Sequence, residues 1–205
     1  MRLLAVLVLV LWAAVGVRGE EPGQLADKEL ISALQKGGYV IFLRHPKTNA
    51  DQADKDPLNL DNIQAQRHLS EEGRQQAKAL GDALRALQIP VDGVIASKFY
   101  RAYEAAKLLD VAEVTTSIDV SEGGLVVSPQ ENRRRSQVLR QLLATPPPAG
   151  KNTLIVSHRP NLQEAAGKEF GDVVEGEVAI FKPLGENNFT LVARVAPEKW
   201  TQWAK

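Results

Sequence analysis

The 205-residue sequence contains no cysteine and a single methionine. Without cysteine there is no disulfide scaffold, no Cys-ligated zinc or iron–sulfur site, and no thiol nucleophile. An excess of charge is also missing, since 25 Lys and Arg stand against 25 Asp and Glu. A general binder of nucleic acid or anionic membrane needs a basic excess, so neither is expected as a partner; a local basic cluster stays open. The chain carries no internal repeat, no low-complexity tract and no interdomain linker, and Pro146-Pro147-Pro148 reads as a stiff loop. Its length suits one domain, burying roughly 70% of its unfolded surface.

Long apolar runs occur in one place. Met1-Arg2 is a short basic start, and Leu3 to Val15 follows without a charge. A membrane span needs ~20 residues, whereas a run of this length is usual for the apolar core of a signal peptide. Residues 1–19 are therefore expected to be a signal peptide cleaved after Gly19, and residues 20–205 a single domain, periplasmic or secreted. No stable membrane span is expected after cleavage; an uncleaved anchor helix is the alternative. Loss of Arg2 and Arg18 leaves 23 basic against 25 acidic residues, a net charge of −2.

Patterning along the rest alternates strands with helices. Asp27 is expected as the N-cap of a helix carrying Leu30, Ile31 and Leu34, ending at Gly37-Gly38. Tyr39 to Leu43 reads as a buried strand, and Asn49 to Gln66 as an Asp-rich loop or short irregular helix. Ser70 with Glu71 and Glu72 starts an amphipathic helix through Ala77, Leu80, Leu84 and Leu87. Val91–Ser97 and Val114–Ile118 read as strands flanking a helix over Arg101–Leu109. Ser128-Pro129-Gln130-Glu131 is a capping box that opens another helix. Thr153–Ser157 reads as a strand, Asn161–Gly167 as a short helix, and Glu177–Lys182 and Phe189–Val195 as a hairpin. The expected fold is three-layer α/β/α with a mostly parallel central sheet, one pair antiparallel at the closing hairpin.

Two strands end alike. Val40-Ile41-Phe42-Leu43 runs into Arg44-His45-Pro46, and Leu154-Ile155-Val156-Ser157 into His158-Arg159-Pro160. Each imidazole is thereby expected at the carboxyl end of a buried strand, where open α/β sheets bind ligands and a helix N-terminus attracts anions. Arg101 adds a third cation after the strand ending at Ser97. Guanidinium forks match phosphoryl oxygens, and a neutral imidazole among them can attack phosphorus. Asp51, Asp54, Asp56 and Asp61 lack the spacing of a calcium loop and read as a solvated loop or lid. His68 reads as a surface or capping residue, Arg133-Arg134-Arg135 as a solvated helix face, and Trp200 and Trp203 as packing for the tail.

At these residues the sequence resembles the histidine phosphatase (phosphoglycerate-mutase-like) superfamily. Arg44-His45 is similar to its Arg-His-Gly signature, with Thr48 at the usual hydroxyl position. The stretch from Leu69 to Ala77 resembles Leu-Thr-x-x-Gly-x-x-Gln-Ala, and that from Ser97 to Ala106 resembles Ser-Pro-x-x-Arg-Ala-x-x-Thr-Ala. Val156-Ser157-His158 stands where the family has its second histidine. The resemblance implies His45 as the nucleophile that becomes phosphohistidine, with Arg44, Arg101 and His158 holding the phosphoryl oxygens. It implies no metal and no cofactor. Thr48 and Arg159 are further candidate substrate contacts. Glu122 best matches the position of the general acid, with Glu175 and Glu177 as rivals. Pro46, Arg159 and Ala105 depart from the pattern, which bears on substrate shape more than on chemistry. The implied activity is metal-independent hydrolysis of a small phosphorylated substrate. A non-catalytic phosphate- or phosphosugar-binding module and a protein phosphatase are the alternatives.

Overall fold

The computed structural model describes residues 26–124 and 126–205. The expected signal peptide, residues 1–19, lies outside the described residues. Six strands, β1 (Val40–Arg44), β2 (Val91–Ser97), β3 (Val114–Ser117), β4 (Asn152–Ser157), β5 (Val178–Gly185) and β6 (Asn188–Val195), form one sheet in the order β3-β2-β4-β1-β5-β6. Six helices accompany them: α1 (Asp27–Lys36), α2 (Glu71–Ala86), α3 (Tyr100–Leu109), α4 (Pro129–Ala144), α5 (Arg159–Ala166) and α6 (Pro197–Trp203).

Strand alternation divides the apolar residues between two cores. Ile41 and Leu43 of β1 face one side with Leu154 and Val156 of β4, covered by α1, α2, α3 and Trp200 of α6. Val40 and Phe42 face the other with Ile155, covered by Leu139 and Leu143 of α4 and Leu162 and Ala165 of α5. Because both faces are covered, β1 and β4 read as continuous apolar runs. The layering is the one expected from the sequence.

The sheet departs from expectation at β5. This strand pairs antiparallel with β6 and also antiparallel with β1, so two pairs rather than one run against the parallel core. Glu186 and Asn187 adopt positive φ of 48° and 61° between β5 and β6, the left-handed pair that a tight hairpin turn requires. Asp27 is also placed differently. Ala26 takes the N-cap geometry of α1, and Asp27 is the first helical residue, its carboxylate 3.2 Å from Lys199. Ser70 and Ser128 do cap α2 and α4, accepting from Gly73 N and Glu131 N at 3.1 Å. The reciprocal arm of the expected capping box is diverted: Glu131 instead engages Arg134 and Arg135.

The parallel neighbours β1 and β4 send their following helices to opposite faces, α2 to one and α5 to the other. That arrangement opens a crevice at the carboxyl ends of the two strands. The register pairs Arg44 with Ser157, and His45 N donates to Ser157 O at 3.0 Å. Two similar strand ends far apart in sequence are thus laid side by side.

Candidate active site

His45 is 2% exposed and His158 1%, with ring centroids 5.2 Å apart. His45 Nδ1 lies 3.0 Å from Pro46 O. A carbonyl only accepts, so this nitrogen carries the proton and the lone pair is left on Nε2. Burial first, then the charges of His158 and Arg101, push the His45 pKa well below its ordinary 6.5. Burial and Arg101, with further contributions from Arg67 and Arg44, do the same to His158. Both rings are neutral near neutrality. His158 is also the N-cap of α5, whereas no helix begins at Pro46. The helix N-terminus expected after each strand is present only after β4, because a long loop intervenes between β1 and α2.

Two guanidinium groups flank the imidazoles. Arg44 donates to Val173 O at 2.6 Å and approaches Glu175 Oε1 at 3.7 Å. Arg101, fully buried on the first turn of α3, stacks over the Phe99 ring at 4.3 Å. Its Nη1 meets both oxygens of Asp54 at 3.1 and 3.2 Å, and its Nη2 donates to Glu122. Glu122 Oε1 is also 3.5 Å from His158 Nδ1. Arg44 Nε, Arg101 Nε and His158 Nδ1 are buried nitrogens with no hydrogen-bond partner among the described residues. Unpaired buried donors are costly, and the two guanidinium nitrogens, which carry positive charge, fit an anion.

His45, Arg44, Arg101, His158 and Glu122 therefore come together as the sequence suggested. Of the rival acids, Glu175 lies 4.0 Å from His45 Nδ1, on the protonated side of the ring, and accepts from Thr48 Oγ1 at 2.8 Å. Thr48 is buried, with its hydroxyl committed to that carboxylate. Glu177 is turned away, its oxygens taken by Arg194 Nε at 2.5 Å and Val174 N at 2.9 Å. Arg159 is exposed at the start of α5.

Other contributors were not visible in the sequence. Asp54, expected in a solvated loop, is the counter-ion of Arg101. Arg135, expected on a solvated face, is 8% exposed and donates to Ser121 O at 3.2 Å, which Asn161 Nδ2 also reaches at 3.2 Å. Ser157 Oγ donates to Val120 O at 2.6 Å, and Ser121 Oγ to Ser117 O at 2.8 Å. These bonds fix the loop that presents Glu122. Ser97 Oγ accepts from Phe99 N at 3.1 Å and meets His158 Nε2 at 2.7 Å, orienting the second imidazole. The only available signal was that these small polar residues sit at strand ends.

The fold and site define a three-layer α/β/α protein with a buried histidine in an arginine-rich crevice at its strand ends. The model of branch 1 of the histidine phosphatase superfamily matches residues 40–123 of this chain, from the start of β1 to just past Glu122. No curated protein matches the chain. Among solved structures, a mycobacterial glucosyl-3-phosphoglycerate phosphatase complexed with VO3 is similar at TM-score 0.55 and 15% identity, over 77% of this chain and 98% of that one. A phosphoserine phosphatase mutant from Entamoeba histolytica, complexed with phosphoserine, is similar at TM-score 0.54 and 14% identity, over 78% and 98%. At these identities the likeness is one of fold.

Proposed function

We propose that the protein is an exported, metal-independent phosphomonoesterase that works through phosphohistidine at His45. The observation that carries this reading is the hydrogen bond from His45 Nδ1 to Pro46 O, which leaves an unprotonated Nε2 in a crevice where buried nitrogens of Arg44, Arg101 and His158 have no hydrogen-bond partner among the described residues. Nε2 attacks phosphorus as the ester P–O bond breaks. Arg44, Arg101 and His158 stabilise the charge spread over the equatorial oxygens. Glu122, held between Arg101 and His158, gives its proton to the leaving oxygen. The resulting carboxylate then takes a proton from water, which attacks phosphorus and breaks the N–P bond. Phosphate leaves, and both His45 and Glu122 return to their starting states.

The apolar run Leu3–Val15 supports export, with the mature chain starting at Glu20. The mass of the protein recovered from an expressing bacterium checks the cleavage.

The chemistry is tested with p-nitrophenyl phosphate and an alkyl phosphate. Turnover is expected to survive a chelator and to fall at least about a thousandfold in His45→Ala. Glu122→Gln is expected to lose about 10²–10⁴-fold on the alkyl phosphate, and much less on the nitrophenyl ester, whose leaving group needs no proton. Acid-labile phosphate trapped on a residue other than His45 would overturn the mechanism. Tight phosphate binding without turnover would leave a binding module in place of an enzyme.

A further inference from the structure

The charges at this end of the sheet are unevenly paired. Arg44 faces Glu175, while Arg101 is held by Asp54 and Glu122. Two cations therefore meet three carboxylates, a balance that repels a phosphate dianion. Arg67 changes that balance. Its side chain is partly buried, yet its guanidinium makes no hydrogen bond or ion pair among the described residues.

The root of Arg67 is fixed beside Arg101. Its backbone N–H donates at 2.9 Å to Asp54 Oδ1, the same oxygen that meets Arg101 Nη1 at 3.1 Å. Next to it, buried Gln66 accepts from Tyr100 N at 2.7 Å and donates to Leu60 O at 2.7 Å, tying this stretch to the first residue of α3. The positive charge of Arg67 is felt by both His158 and Arg44. An unpaired guanidinium rooted beside Arg101 is complementary to an anion held there.

We infer that Arg67 is a further phosphoryl-binding residue, a guanidinium delivered by the segment between β1 and α2 to the oxygens of the group that His45 attacks. The inference rests on the phosphohistidine reading for the identity of that group. Asp54 is the positioning residue on which both arginines converge. With Arg67 counted, three cations meet three carboxylates, and the net repulsion of an anion is removed.

Binding of inorganic phosphate to the full chain by calorimetry, together with the kinetics of p-nitrophenyl phosphate, tests this. Arg67→Gln keeps the backbone amide and so the hold on Asp54. Its Kd for phosphate and its KM are expected to rise about ten- to hundredfold, the range of a charge-assisted hydrogen bond, while kcat changes less than about threefold. Arg67→Lys restores the charge without the fork and recovers part of the affinity. Arg133→Gln, on the exposed face of α4, controls for net charge and leaves Kd unchanged. Phosphate binding in folded Arg67→Gln within twofold of wild type overturns the inference, as does an equal loss in Arg133→Gln. Weakened binding in Arg67→Gln alongside a wild type that binds phosphate but never turns over supports the Arg67 contact and sinks the phosphatase reading instead.

Discussion

The His45 ring is buried and surrounded by positive charge, and both effects disfavour a second proton on it. An imidazole with the ordinary pKa of about 6.5 is some nine-tenths protonated at pH 5.5, and so is about tenfold less available as a nucleophile. His45, titrating well below that value, stays neutral there. The kcat/KM for p-nitrophenyl phosphate is therefore expected to change by less than about threefold between pH 7 and pH 5.5, measured at constant ionic strength. A tenfold fall would contradict the neutral nucleophile. The same shift has a consequence for stability. The folded pKa values of His45 and His158 lie below those of the unfolded chain, so on acidification the unfolded chain takes up protons first. The stability gained by keeping the rings neutral is complete above about pH 6.5 and is lost progressively as the pH falls below it. His158→Asn, which removes one such ring, is expected to flatten the dependence of Tm on pH between about 4 and 6.5.

Elements bring these residues together, and two glycines of α2 show how closely. A Cβ on Gly73 would stand 2.0 Å from Lys47 O, and one on Gly81 1.9 Å from Leu109 O. Both sites have backbone as the obstacle, so alanine at either costs at least the 1–3 kcal/mol typical of overpacking. The consequences for the site differ. Lys47 O also accepts from Ser70 N at 2.9 Å, and Lys47 adjoins Thr48, whose hydroxyl meets Glu175. Gly73→Ala is expected to lower Tm and raise KM severalfold by displacing the segment after His45; Gly81→Ala, at the far end of α3 from Arg101, lowers Tm with KM little changed. Thermal melts and steady-state kinetics on both variants check this. What the sequence disclosed follows the same division. Strand runs, serine caps and the paired strand endings are local signals, and they located β1, β2, α2, α4, His45, Arg101 and His158. The antiparallel place of β5, the pairing of Asp54 with Arg101 and the burial of Arg135 depend on contacts between distant segments. An aspartate in a polar loop looks solvated until the fold supplies a buried guanidinium 47 residues away.

At the scale of the molecule, a cysteine-free chain must hold its layers together by packing alone. The layer formed by α1, α2 and α3 is closed by α6, whose Trp200 is fully buried against that core and packs edge-on to Trp203 at 5.1 Å between centroids. Further support comes from the ion pair between Lys199 and Asp27, which joins the first and last helices but is exposed and so adds little. Truncating a buried tryptophan to alanine costs about 3–5 kcal/mol. Against a typical total of about 5–15 kcal/mol, that is a large share of the stability of a domain without disulfides. Trp200 belongs to the core on the α1–α3 face of the sheet, whereas the phosphoryl cradle hangs on the ends of β1 and β4 and on the first turn of α3. Trp200→Ala is therefore expected to lower the urea midpoint strongly with little change in slope. In whatever fraction remains folded at low temperature, Kd for phosphate stays as in wild type. A variant that kept its midpoint would show that α6 is a dispensable tail, and one that kept its midpoint but lost phosphate binding would place the C-terminal helix in the site.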